Sequence, residues 1–312
     1  MSPALTIVLP TYNPRMDYLG RVLESLRAQT APMGQWDLLL VDNNSNPPLA
    51  GRVDLSWHPR ARVIVEKTQG KMHAQIAAFR NTNTELLLIM DDDTVADRRL
   101  IEEALRIADE FPMLGTWSTR VELEFEDPGL VAPVRLRHLL AERLIDRPSW
   151  SNDPDHAPST PWGCAMSVRR AVADAYIEQT MTNPRRLQLD PVGDQPGYGG
   201  DTDLCYTGCS IGLGMGVFPS LKITHLIPKR RSTLEYLTRN LEAHEFSHQL
   251  QYHARTGRVL PAPTLRQRIS RLLAWWSADA IGRQILAAED RSRAAARRTI
   301  ATGVDSRPTT HR

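Results

Sequence analysis

Four short apolar runs, each breaking off into polar or acidic residues, constrain the fold of this chain more than any other feature. They are LTIVL (Leu5 to Leu9), LLLV (Leu38 to Val41), RVIVE (Arg62 to Glu66) and LLLIM (Leu86 to Met90). Runs this continuously hydrophobic read as strands covered on both faces. Between them, Asp17 to Ala28 sets Leu19, Val22, Leu23 and Leu26 on one helical stripe. Asp97 to Phe111 does the same with Leu100, Ile101, Ala104, Leu105 and Ala108. Strand and helix in succession build a doubly wound, parallel α/β sheet, in which ligands bind at the carboxyl ends of the strands. Those ends carry Thr11, Tyr12 and Asn13 after the first run, Asp42 after the second, and Asp91, Asp92 and Asp93 after the fourth.

Three adjacent carboxylates repel one another, so the triplet is either a solvated acidic turn or half of a site whose other half is positive. Mg²⁺ and Mn²⁺ take hard oxygen ligands, typically one or two carboxylates together with substrate phosphates. If the chain stays extended through the triplet, alternation points Asp91 and Asp93 one way and Asp92 the other.

Composition narrows the remaining classes. The net charge of +2 argues against wholesale nucleic-acid binding. Nearly all the positive charge is arginine, with lysine only at 67, 71, 222 and 229. Three cysteines give no disulfide framework and suit a reducing compartment; Cys205 and Cys209 supply at most two ligands of a zinc site and read as structural thiols. The start of the chain has no signal-peptide pattern, and no segment approaches the length of a membrane span. The expected location is therefore the cytoplasm, in solution or against the inner face of the membrane.

Beyond residue 120 the pattern is less regular. Asp146 to Pro161 and Asp190 to Gly200 are loop-like, rich in proline or glycine, and suit lids or binding loops. Leu234 to Tyr252 and Leu265 to Ala288 read as helices, and the polar chain from Arg291 reads as a frayed tail. The second of these helices carries Leu265, Ile269, Leu272, Leu273, Trp276 and Ile281 as an apolar stripe, with Arg266, Arg268, Arg271 and Arg283 largely elsewhere. Such a helix packs on its own domain or lies on an anionic membrane, and periodicity favours packing.

In order and spacing, IVLPTYNP, LLLVDNNS, LLIMDDDT, WGCAMSVRR, GGDTDL and ITHLIPKRR resemble a family 2 glycosyltransferase, over about the first 240 residues. The resemblance implies the GT-A fold, a Rossmann-like and mostly parallel sheet followed by C-terminal helices. It divides the chain into a catalytic domain (1–240), a helical appendage (241–290) and a flexible tail (291–312). It implies an inverting transfer from a nucleotide sugar, with uridine diphosphate the expected carrier, to a hydroxyl of a glycan, a lipid-linked or a small-molecule acceptor, with Mn²⁺ or Mg²⁺ as cofactor. Carried over residue by residue, Thr11, Tyr12 and Asp42 hold the nucleotide, joined by Asp91, Asp92, Lys71 and Arg231. Asp93 is the direct metal ligand, with Asp91 and His225 as further candidates. Asp201 is the catalytic base, but Gly200 stands where a glutamate is usual, which keeps Asp203 open as the alternative. A base is required there because an acceptor hydroxyl is a poor nucleophile until a carboxylate takes its proton.

Two readings compete. HEFSH (His244 to His248) matches the zinc-peptidase pattern, in which two histidines one helical turn apart bind metal and the glutamate activates water. A sugar-nucleotide-binding protein without catalysis is the other. GCSIG (Gly208 to Gly212) matches a hydrolase elbow but follows an acidic, helical segment where that motif needs a buried strand.

Overall fold

Alternation inside each apolar run sends its side chains to opposite faces of one sheet. The computed structural model describes residues 3–183, 186, 187, 189 and 198–302. In chain order its first elements are β1 (Leu5–Thr11), α1 (Met16–Arg27), β2 (Trp36–Asp42), β3 (Ala61–Val65), α2 (Lys71–Arg80) and β4 (Leu86–Ile89). Next come β5 (Thr94–Ala96), α3 (Leu100–Glu110), β6 (Leu114–Phe125), β7 (Ser149–Ser151), β8 (Met166–Arg169) and α4 (Arg170–Thr182). The last are α5 (Gly200–Ser210), β9 (Gly214–Ile227), α6 (Leu234–Thr256), α7 (Leu265–Ser277) and α8 (Ala280–Thr302).

Among the described residues the sheet runs β3-β2-β1-β4-β8-β6-β9-β5, with β7 added beside β9. Its long ladders, β1 with β2 and β6 with β9, are parallel, while β4 to β8, β8 to β6 and β9 to β5 are antiparallel. Leu5, Ile7, Leu9, Leu38, Leu40, Leu86 and Leu88 pack with α1 and α3 on one face. Val8, Leu39, Val41, Leu87 and Ile89 pack with α2, α4 and α5 on the other. Each such fully buried side chain contributes roughly 2 kcal/mol of apolar transfer energy, which is why these runs carry no polar alternation. The α/β fold expected from the sequence is present.

The third run departs from expectation. β3 ends the sheet, and Val63 and Val65 are exposed, so this strand lacks cover on both faces.

The C-terminal third differs more. The helix expected from Leu265 to Ala288 is two helices, because the Asp279 carboxylate accepts the Gly282 N–H at 2.7 Å and pairs with Arg135 at 2.9 Å, which caps a new helix. The polar segment from Arg291 continues as α8 to Thr302; Ala295 and Ala296 bury against Phe246 of α6, and Arg291 and Arg293 pair with Glu242 and Glu245. Residue 240 falls inside α6. The proline-rich loop contains β7 and a short 3-10 turn at Ala157–Ser159, while residues 190–197 of the second loop lie outside the described residues. All three thiols are free, Cys164 and Cys205 being buried. No helix among the described residues is long and apolar enough to cross a membrane.

Candidate active site

The carboxyl ends of β1 and β4, the N-termini of α2 and α5, the end of β9 and one face of α6 surround a single cleft of 620 Å³. That size and position suit a ligand site in an open α/β sheet.

The acidic triplet forms a turn. Thr94 closes it, donating from both its backbone N–H and its hydroxyl to the Asp91 carbonyl at 3.3 and 2.8 Å. The expected strand-like alternation is therefore absent, and the three carboxylates fan out to three separate partners. Asp91 pairs with Lys71 at 3.0 Å. Asp92 accepts the Thr11 hydroxyl. Asp93 pairs with Arg231 at 2.9 Å and faces the His225 Nε2 at 3.4 Å. Antiparallel register sets Thr94 opposite His225, and the Leu226 N–H donates to the Asp93 carbonyl, which fixes these two residues side by side.

Their charge states diverge. Burial, and then the neighbouring Asp93 and Asp91, push the Asp92 carboxyl up to about 7, so it takes a proton readily. Burial alone would also raise Asp93, but His225, Arg231 and Lys71 together more than offset it and hold this group ionised. Burial would lower the His225 imidazole; the Asp93 charge reverses this and raises it. The His225 Nδ1 lies 2.8 Å from the Leu140 carbonyl. Donation there turns Nε2 toward Asp93, where it carries the proton that pairs with the carboxylate and, once that proton leaves, offers the lone pair usual for a metal-binding histidine. Asp93 and His225 thus fit a hard divalent cation that completes its shell with phosphate and water. Asp91 does not join them, being committed to Lys71, and no group of three or more His, Cys, Asp or Glu suited to a metal occurs among the described residues.

Positive ends face the acids. Gly70 sits at φ 135°, a conformation open to glycine, and its N–H donates to the Asn43 side chain at 2.8 Å. This aims the N-terminus of α2, with Lys71, into the cleft, a ready anion site. Of the basic run after β9, only Arg231 enters; Lys229 pairs outside with Asp127.

Asp201 lies in the first turn of α5 and lines the cleft. The Gly163 backbone N–H bonds its carboxylate, while its Oδ1 is buried with no hydrogen-bond partner. Burial raises its pKa, Lys71 opposing and Asp91 adding to the shift. A Cβ at Gly163 would fall inside this carboxylate, so the glycine makes room for it. Asp203 is elsewhere: Arg186 holds it at 2.7 Å, outside the cleft. Placement therefore favours Asp201 of the two candidate bases.

Asp42 also stands apart from its expected place. It is buried and does not line the cleft, and its two oxygens accept the Ser45 and Leu49 N–H groups at 2.8 and 2.9 Å, shaping the loop behind Thr11. Tyr12, by contrast, lines the cleft and is exposed.

Sequence reasoning gave no site role to Tyr198, Tyr236 or Asn240 and did not bring WGCAMSVRR and HEFSH together as one wall opposite the sheet. Trp162, Gly163, Tyr198, Tyr236, Asn240, His244 and His248 all line it. The i, i+4 spacing of the two histidines does place both on one helix face, the signal read earlier as a peptidase motif. His244 instead stacks on Tyr198, ring centroids 3.6 Å apart, and burial holds its pKa down at about 4.

Comparison with known proteins agrees with this geometry. Residues 6–173 match the family model described as glycosyl transferase family 2. An uncharacterised protein of Sinorhizobium fredii, y4gI, is 30% identical over 114 residues, 35% of this chain and 12% of that one. An N-acetylglucosaminyltransferase of Bradyrhizobium diazoefficiens is 27% identical over 200 residues, 57% of this chain and 37% of that one. The chain thus spans well under two thirds of either relative. Among solved structures, the mannosyltransferase PcManGT of Pyrobaculum calidifontis, in complex with GDP-Man and Mn²⁺, superposes with a TM-score of 0.52 at 20% identity, covering 97% of this chain and 80% of that one. The family match, on more than half of the residues and over β1 and β4 with the acidic triplet between β4 and β5, means that this chain belongs to glycosyl transferase family 2.

Proposed function

We propose that this protein is a metal-dependent, inverting glycosyltransferase that moves a sugar from a nucleoside diphosphate to an acceptor hydroxyl. One observation carries the reading: a paired, positively framed acidic rim faces, across one cleft, the Asp201 carboxylate, which has one backbone donor and one buried oxygen without a partner. The relative named N-acetylglucosaminyltransferase makes activated N-acetylglucosamine the first donor to test, and uridine diphosphate the expected carrier.

Thr11 and Tyr12 lie beside the nucleotide, and Lys71 with the α2 N-terminus takes phosphate charge. Asp93 and His225 would hold Mn²⁺ or Mg²⁺, which when bound neutralises the charge building on the leaving diphosphate. Arg231, already beside Asp93, adds a guanidinium to the same task. Asp201 takes the proton of the acceptor hydroxyl, and its raised pKa matches that role. Attack from the face opposite the leaving group inverts the anomeric carbon, so an α-linked donor yields a β-glycoside.

Incubation with a panel of nucleotide sugars and Mn²⁺ or Mg²⁺ tests this. Metal-dependent donor hydrolysis, slow without acceptor, is expected and should vanish in Asp93→Ala. Absence of turnover across the panel, with no donor raising the melting temperature, would sink the reading. The peptidase alternative needs zinc and is indifferent to Asp93.

A further inference from the structure

α7 is an amphipathic helix whose apolar side is left largely exposed by the described residues. Leu265, Ile269, Leu272, Leu273 and Trp276 follow the i, i+4, i+7, i+8, i+11 spacing of one helical strip, yet each is between 52% and 74% exposed. The packing expected from periodicity is thus not realised. The opposite side of the helix makes the attachment: Arg271 pairs with Glu289 and Asp290 of α8 at 2.8 Å. Thr264 and Gln267 form a capping box that closes the N-terminus of the helix.

Charge identifies what covers the strip. At 100° per residue, Arg266 and Arg268 flank it on its two edges, and α7 contains no acidic residue. Residues 257–283 hold five arginines against one aspartate in a chain whose whole net charge is +2, and that aspartate, Asp279, is paired with Arg135. An apolar strip edged by guanidinium groups, with a tryptophan in it, matches the boundary between acyl chains and anionic headgroups. A second copy of the chain fits less well: five apolar side chains fall far short of the roughly 20–30 residues that a stable protein interface uses on each side.

We propose that α7 docks the protein on an anionic bilayer surface, with Leu265, Ile269, Leu272, Leu273 and Trp276 entering the headgroup boundary and Arg266 and Arg268 meeting lipid phosphate. The anchor is tied to the cleft through α8 and α6, since Arg291 of α8 pairs with Glu242 of the helix that bears His244 and His248. This inference is independent of the transferase reading.

Co-sedimentation of the full chain with vesicles tests it, using phosphatidylcholine alone or equal parts phosphatidylcholine and phosphatidylglycerol. Binding to the anionic vesicles is expected, with weaker binding to the neutral ones and loss on raising the salt. Leu272→Glu/Trp276→Glu should abolish binding, and Arg266→Gln and Arg268→Gln should each weaken it about fivefold. Both positions are exposed, so far-UV circular dichroism and the melting temperature should stay unchanged, which separates lost docking from lost folding. Three results would overturn the proposal: no binding of the native chain at low salt; binding that the double glutamate variant retains; or a concentration-dependent dimer that this variant dissociates while vesicles capture nothing.

Discussion

The two walls of the cleft solve opposite electrostatic problems. On the sheet side every acid has found a partner: Asp91 has Lys71, Asp92 has Thr11, and Asp93 has His225 and Arg231. On the helix side Asp201 has one backbone donor and an oxygen with none. A buried carboxylate oxygen without a partner is costly and persists where the surrounding fold enforces it. The contrast teaches how a single cleft can commit the acids of one wall to partners and leave a carboxylate oxygen on the other without one.

Several substitutions can break or sharpen that contrast. The largest effect belongs to Asp93→Ala, which strands Arg231 and His225: a loss of about 3–5 kcal/mol in stability is expected, together with all metal-dependent turnover, read by thermal melts and donor hydrolysis. If Asp93→Ala melts like the native chain and still turns over donor, the paired wall is not the charged half of the site. Asp201→Asn should leave melting and donor affinity close to native while lowering transfer by roughly 10²- to 10⁴-fold, measured as acceptor turnover at saturating donor. Equal loss of donor affinity would merge the two walls into one. Gly163→Ala pushes the Asp201 carboxylate aside and is expected to cost about 10²-fold in transfer, with little change in donor binding. Asp203→Ala removes the partner of Arg186 and should cost about 3 kcal/mol of stability while turnover per folded molecule stays near native.

The smallest effect is a slope with pH. The Asp92 pKa is raised on folding, from the ordinary 3.8 to about 7, so the folded state binds the extra proton. Its contribution to stability is complete below pH 3.8 and is lost as pH rises through 7. Asp93, lowered on folding, contributes in the opposite sense and loses its share only as pH falls below the ordinary carboxylate range. With a chelator present, Asp92→Asn should raise the melting temperature by a few degrees at pH 8 and change it little at pH 4. A native chain whose melting is flat between those values would show that the Asp92 pKa is not raised on folding.

Much of the sheet was legible along the chain because strand and helix periods are local. The runs at Leu5, Leu38 and Leu86 became buried strands, and the stripes starting at Leu19 and Leu100 became α1 and α3. Strand ends also announced Thr11, Tyr12 and the acidic triplet as cleft residues. The surroundings of Asp42 were not legible, because a polar residue at a strand end looks the same whether or not its oxygens are taken up by its own loop, as they are by the Ser45 and Leu49 N–H groups. The choice between Asp201 and Asp203 was equally closed to sequence, since it turns on Arg186 reaching one of them and Gly163 yielding space to the other.

What the amino-acid order determined by itself, then, is the doubly wound sheet and the edge at which its polar residues gather, because both follow from hydrophobic periods a few residues long. Only the tertiary structure decided which groups meet across that edge. Thr11 reaches Asp92 over 81 residues and Arg231 reaches Asp93 over 138, distances that strand register closes and no local pattern encodes. It alone also decided the fate of α7, for an apolar stripe has the same period whether it is buried by its own domain or left facing outward.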